Sequence, residues 1–111
     1  GTNGTWYWTK WKSGRAECWG TRNFGRSSTS TAWGSLYVSG SYSQDFPQGL
    51  FIEAPILTMT LGYCGKGVML ERGTGERITE DNTGTFRFIS FTTGNTDESN
   101  VNFHAIGRWK Y

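Results

Sequence analysis

Aromatic side chains recur at every second position near both ends of this chain, and no other feature constrains its fold as tightly. Between Thr5 and Trp11, Trp6, Trp8 and Lys10 fall on one side of an extended backbone, and Tyr7, Thr9 and Trp11 on the other. Successive strand side chains point to opposite faces, whereas a helix would scatter these rings around its circumference. From Val101 to Tyr111, the residues Phe103, Ala105, Gly107, Trp109 and Tyr111 share one side, and His104, Ile106 and Arg108 the other. No window of a dozen residues holds the i, i+3, i+4, i+7 apolar pattern of a helix without a glycine or a Ser/Thr run breaking it. The chain is therefore expected to be all-β.

Lys12, Ser13 and Gly14 supply a turn, and Arg15 to Thr21 runs back with Ala16 and Cys18 facing one way and Glu17 and Trp19 the other. Thr5 to Thr21 is thus predicted to be a β-hairpin. A polar loop follows over Gly25 to Thr31, then an apolar strand from Ala32 to Val38 and a turn region over Ser39 to Ser43. Asp45 to Glu53 is expected to be extended, with Pro47 placing it at an edge or bulge. Ile56 to Tyr63 alternates cleanly, Leu57, Met59, Leu61 and Tyr63 opposing Ile56, Thr58 and Thr60. Short strands are expected at Lys66 to Glu71 and Arg77 to Thr79, joined by a bend at Gly73 to Gly75. Thr85 to Phe91, apolar on both faces, is expected to be a central strand. A polar loop over Gly94 to Asn100 leads into the last strand. About eight short antiparallel strands with glycine-marked turns predict a β-sandwich, jelly-roll-like in character. The first and last strands are expected close together in one core.

A length of 111 residues suits one domain spanning 1–111. The opening Gly-Thr-Asn-Gly, in place of Met, leads us to expect the C-terminal piece of a longer chain. Eleven basic against nine acidic residues do not demand a nucleic-acid partner; the tight basic groupings are short ones, such as Arg108 and Lys110 around Trp109. No apolar run approaches the roughly 20 residues that span a bilayer, so no membrane insertion is expected. Cys18 and Cys64 stand far apart and in no CxxC pair; a disulfide and two buried thiols both remain open, the thiols being favoured.

The parts of an enzyme are missing at the level of motif. The single histidine, His104, lies in a strand, no serine occupies a GxSxG elbow, and no HExxH or paired CxxC spacing offers a metal its ligands. Asp45, Glu53, Glu71, Glu76, Glu80 and Asp81 could supply a glycosidase carboxylate pair, but most adjoin turn residues and are expected to be solvated. We expect no catalysis, no metal and no cofactor. Among the rings, those at alternating strand positions, Trp6, Trp8, Trp19 and Trp109, are expected in the core or at a subunit contact. Rings on or near loops are better ligand candidates, which gives Trp33, Tyr37, Tyr42 and Tyr63, together with the loop polar residues Asp45, Asp81 and Asn82.

Both ends of the chain carry a family resemblance. Gly4-Thr5-Trp6-Tyr7-Trp8-Thr9-Lys10-Trp11, continuing Gly14-Arg15-Ala16-Glu17-Cys18-Trp19-Gly20, resembles the final domain of phage and prophage tail-fibre or minor tail proteins of Gram-positive bacteria. Phe103-His104-Ala105-Ile106-Gly107-Arg108-Trp109-Lys110 is similar to that family's ending, and Trp33-Gly34-Ser35-Leu36-Tyr37 to a piece of its middle. The resemblance implies a receptor-binding head at the tip of a virion tail, acting outside the host cell, commonly a homotrimer, that attaches to a cell-surface saccharide or protein. It carries over no catalytic residues. Two other readings fit the residues: a carbohydrate-binding module or lectin of a bacterial protein, and a trimer cap with no ligand.

Overall fold

The computed structural model describes residues 1–25, 28–29, 31–63, 69–71, 77–90, 94 and 99–110, without the side chains of Thr2, Asn3, Trp33, Tyr63, Met69 and Glu71. Nine strands and no helix occur among them. They are β1 (Thr2–Asn3), β2 (Trp6–Lys10), β3 (Arg15–Asn23), β4 (Thr31–Trp33), β5 (Leu36–Val38), β6 (Ile56–Tyr63), β7 (Met69–Glu71), β8 (Arg87–Ser90) and β9 (Asn100–Arg108). All pairings are antiparallel and form two sheets, a five-stranded one in the order β1-β2-β3-β9-β6 and a four-stranded one in the order β4-β5-β8-β7. One hydrophobic cluster draws on both sheets, which gives a sandwich-like all-β fold.

The predicted hairpin forms, with Tyr7 opposite Trp19, Trp8 opposite Cys18 and Lys10 opposite Ala16. Gly14 sits in its turn at φ 100. A side chain there would enter the left-handed region and meet the Lys110 carbonyl at 2.5 Å, so only glycine lets the turn pack beneath the end of β9. The first and last strands share a sheet and a core, but β3 lies between them, paired to β9 from Arg15↔Arg108 to Asn23↔Asn100. β6 has the predicted bounds, and β8 is flanked on both sides, with Phe88, Ile89 and Ser90 all buried.

Three expectations fail. Ala32 to Val38 is not one strand but the hairpin β4–β5, because Gly34 takes φ 63 and, with Ser35, closes a two-residue turn. Asp45 to Glu53 is not extended, since Pro47 offers no N–H and Leu50 N donates to its carbonyl at 3.2 Å, folding the segment into a turn. Arg77 to Thr79 is not a strand; Thr79 caps a turn instead, its hydroxyl accepting from Asp81 N and Asn82 N. Of the two places expected for Trp19, the core is excluded, since it is 44% exposed. The bend at Gly73 to Gly75 and Cys64 lie outside the described residues, as does part of each predicted loop.

Inward positions where β3 meets β9 are mostly small, Ala16 opposite Gly107 and Cys18 opposite Ala105, with Gly20 opposite the ring of Phe103. That leaves room for rings arriving from the opposite layer and from the connecting segment 42–51. Trp6 is 2% exposed and packs on Phe46 and Phe103 at centroid distances of 5.7 and 5.5 Å. Phe24, Phe86 and Phe88 add edge-on contacts with one another, a geometry worth roughly 0.5–1.5 kcal/mol per pair beyond burial. The Trp6 indole N–H donates to the Asp45 carbonyl at 2.7 Å. This bond ties the first hairpin to the connecting segment.

Trp6→Phe keeps an aromatic ring but leaves the Asp45 carbonyl without this donor and opens space in the core. We expect a loss of about 2–3 kcal/mol, read as a lower urea midpoint at unchanged slope. A variant as stable as the parent would contradict the role assigned to this ring.

Candidate functional site

The seven residues expected to bind ligand divide between the scaffold and one loop cluster. The backbones of Trp33 and Tyr63 lie in β4 and at the end of β6, where the register shifts between Leu61 and Tyr63; their side chains lie outside the described part of the structure. Tyr37 is half-buried in β5, opposite Ser90. Tyr42 is half-buried too, its ring edge-on to Phe24 at 5.3 Å and to Phe88 at 5.5 Å, so much of its face is committed to the core.

Asp45, Asp81 and Asn82 do come together. Asn82 Nδ2 donates to Asp45 Oδ1 at 2.8 Å, while Asn82 Oδ1 accepts from Gly84 N at 2.7 Å. Phe46 N donates to the Asp81 carbonyl at 2.8 Å. A depression of about 350 Å³ lined by Asp45, Phe46, Gln48 and Asp81 opens beside them. Both ends of the Asn82 amide are thus engaged in bracing two loops. Among the described residues, no group of three or more His, Cys, Asp or Glu is placed to hold a metal ion.

A second and larger surface lies on the outer face of the five-stranded sheet. Because β2, β3, β9 and β6 are in register, Tyr7, Trp19, His104 and Thr58 form one row across four strands. At the usual strand spacing the row spans roughly 14 Å. The rings of Tyr7 and Trp19 lie nearly parallel, 19° apart with centroids at 6.3 Å, and are 56% and 44% exposed. Beside them a groove of about 410 Å³ is lined by Thr5, Tyr7, Trp19, Thr21 and Asn102 among others. The Thr21 hydroxyl donates to Asn102 Oδ1 at 2.7 Å, which orients the amide and leaves its N–H₂ on the exposed face. On the other side of Trp19, His104 Nε2 donates to Glu17 Oε1 at 2.8 Å, and Arg15 Nη2 donates to Glu17 Oε2 at 3.0 Å.

The face therefore offers an aromatic centre flanked by oriented amide and hydroxyl groups, on strands whose positions are fixed by their ladders. Motif analysis does not single out Tyr7, Glu17, Trp19, Thr21 or Asn102 for binding. The available signal was the outward parity of Tyr7 and Trp19; what linked them to Asn102 and His104 was the β3–β9 register, which no local pattern encodes.

Cys18, on the inward side of the same strand, is a buried free thiol. Burial pushes its pKa from 9.0 up to about 12, against a smaller lowering by its hydrogen bond with the Ala105 backbone. It is a packing residue, not a nucleophile.

The chain matches no protein-family model, no curated protein and no solved structure at a significant level.

Two outcomes follow from this geometry. Trp19→Ala should fold with stability within about 1 kcal/mol of the parent, since exposed positions tolerate truncation, as judged by thermal unfolding. In a Cys64→Ser background, Cys18 should react with a thiol reagent at pH 8 far more slowly in the native protein than in urea.

Proposed function

We propose that this chain is a non-catalytic recognition domain that holds a saccharide on the outer face of its five-stranded sheet, and that it serves as the head of a phage or prophage tail fibre attaching to the host surface. The observation that carries the binding role is the exposed Tyr7–Trp19 pair. Two near-parallel rings on a rigid sheet cost little conformational entropy to present, and their faces suit the C–H-rich side of a pyranose. Asn102, Thr21 and His104 stand where ring hydroxyls would need partners. An exposed aromatic surface of this kind on a soluble domain marks an interaction site.

The tail-fibre setting rests on the terminal Trp-rich motifs, and with it come the homotrimer and the jelly-roll-like character. A trimer that leaves the Tyr7–Trp19 face open is compatible with this reading. Its contacts would fall toward β6, the opposite edge of the sheet, where Ile56 is 78% exposed.

A glycan array and binding to whole bacterial cells test the proposal. Tyr7→Ala and Trp19→Ala should each weaken binding by roughly tenfold or more, as expected for a central aromatic contact, while Tyr42→Ala and Asp81→Ala leave it near the parent level. Loss confined to Tyr42→Ala or Asp81→Ala would move the site to the loops, and no binding by the parent to any glycan or cell would favour a ligand-free cap. Sedimentation equilibrium should give a trimeric mass; a stable monomer at micromolar concentration would remove the trimer from the account.

A further inference from the structure

Segments distant in sequence bring five cations to one end of the five-stranded sheet. Lys10 closes β2, Lys12 lies in the turn, Arg15 opens β3, and Arg108 and Lys110 flank Trp109 at the end of β9. The Arg15↔Arg108 register brings the two guanidinium-bearing strand ends together. Trp109 N donates to the Gly14 carbonyl at 2.9 Å and Trp109 Nε1 to the Trp11 carbonyl at 2.7 Å, locking turn and strand end into one unit.

The cations are organised on two indoles. Lys10 Nζ and Lys110 Nζ stand 5.1 and 4.9 Å from the Trp109 ring, and the Arg15 guanidinium 4.9 Å from the Trp11 ring. A ring face attracts an ammonium without occupying its N–H donors in hydrogen bonds, so the lysines are positioned and still able to donate. Lys10, Trp11, Lys12, Arg15, Arg108 and Lys110 are all exposed.

The charge is lopsided. Among the described residues, the carboxylates at this end are Glu17, held by Arg15 and His104, and Glu53, next to Ile52, whose N–H donates to the Arg108 carbonyl at 2.9 Å. Among the described residues, five basic side chains against these two carboxylates give this end +3. Like charges gathered on one sheet end repel one another, and an anionic partner would relieve that repulsion.

We propose that this end binds the anionic groups of a linear acidic saccharide, phosphate or carboxylate being the shared chemistry. That the partner is a saccharide rests on the reading of the Tyr7–Trp19 platform given above. Arg15 lies four residues along β3 from Trp19, about 13 Å away. A chain of a few sugar rings seated on the platform would lay its charged groups over Arg15 and Arg108, which share that face, passing a Glu17 already paired to Arg15 and His104, and would reach the lysines around Trp109 where it passes the end of the sheet.

The test compares four polymers on the full chain by isothermal titration: inorganic polyphosphate, which has no rings, polygalacturonate, neutral dextran and single-stranded DNA. Polyphosphate and polygalacturonate should bind at about 50 mM NaCl and lose at least roughly tenfold in affinity by about 300 mM. The triple variant Lys10→Gln, Lys12→Gln, Lys110→Gln should lose about tenfold for both with an unchanged thermal transition. Trp19→Ala should weaken polygalacturonate alone. If Trp19→Ala has no effect while the lysine variant does, the platform reading fails and the anion site stands. Absence of polyanion binding at low salt, undiminished binding by the lysine variant, or tighter binding of DNA than of polygalacturonate overturns the proposal.

Discussion

One indole joins the parts of this domain that sequence separates most. Trp6 belongs to the first hairpin, yet its ring packs on Phe46 from the connecting segment and Phe103 from the last strand, and its N–H ends on the Asp45 carbonyl. The same segment is braced from the other side by Asp81 and Thr83, through Phe46 N to the Asp81 carbonyl and Thr83 N to the Gln44 carbonyl, both at 2.8 Å. A buried indole needs a partner for its N–H, so the position of Trp6 and the path of residues 44–46 fix one another. The small inward residues of β3 and β9 follow from this arrangement, because bulk at those positions would displace the rings that meet there.

The alternation that buries Trp6 also dictates what faces outward. With Trp6 and Cys18 turned in, Tyr7 and Trp19 must emerge on the other side as a cross-strand pair, and the inward positions of β3 are already filled by Ala16, Cys18 and Gly20. The exposed rings are thus a direct consequence of the core. The proposed saccharide site and the proposed anion site both inherit their rigidity from that same ladder, one at the middle of β3 and one at its start.

Much of the fold is legible locally. The bounds of β6, the first hairpin and the central placement of β8 follow from period-two patterning and from apolar residues on both faces. The misses are places where a turn residue outweighed the pattern: Gly34 split an apolar run into a hairpin, Pro47 bent an expected strand, and Thr79 capped a turn. The site was less legible. Asp45, Asp81 and Asn82 were found as loop residues and do converge, but the amide of Asn82 serves the scaffold. Alternation alone places Trp19 in the core or at a subunit contact, and its pairing with Tyr7 and with His104 shows that it stands on the outer face.

At the centre of this account is the claim that Trp6 and Trp19, on neighbouring strands, point to opposite sides of one sheet, the first sealed and the second open. Hydrogen exchange of the two indole N–H groups, followed by nuclear magnetic resonance, tests it most directly. The Trp6 indole should exchange only through large-scale unfolding, and the Trp19 indole within the dead time. Rapid exchange at Trp6, or protection at Trp19 equal to that of Trp6, would contradict the arrangement on which both proposed sites depend.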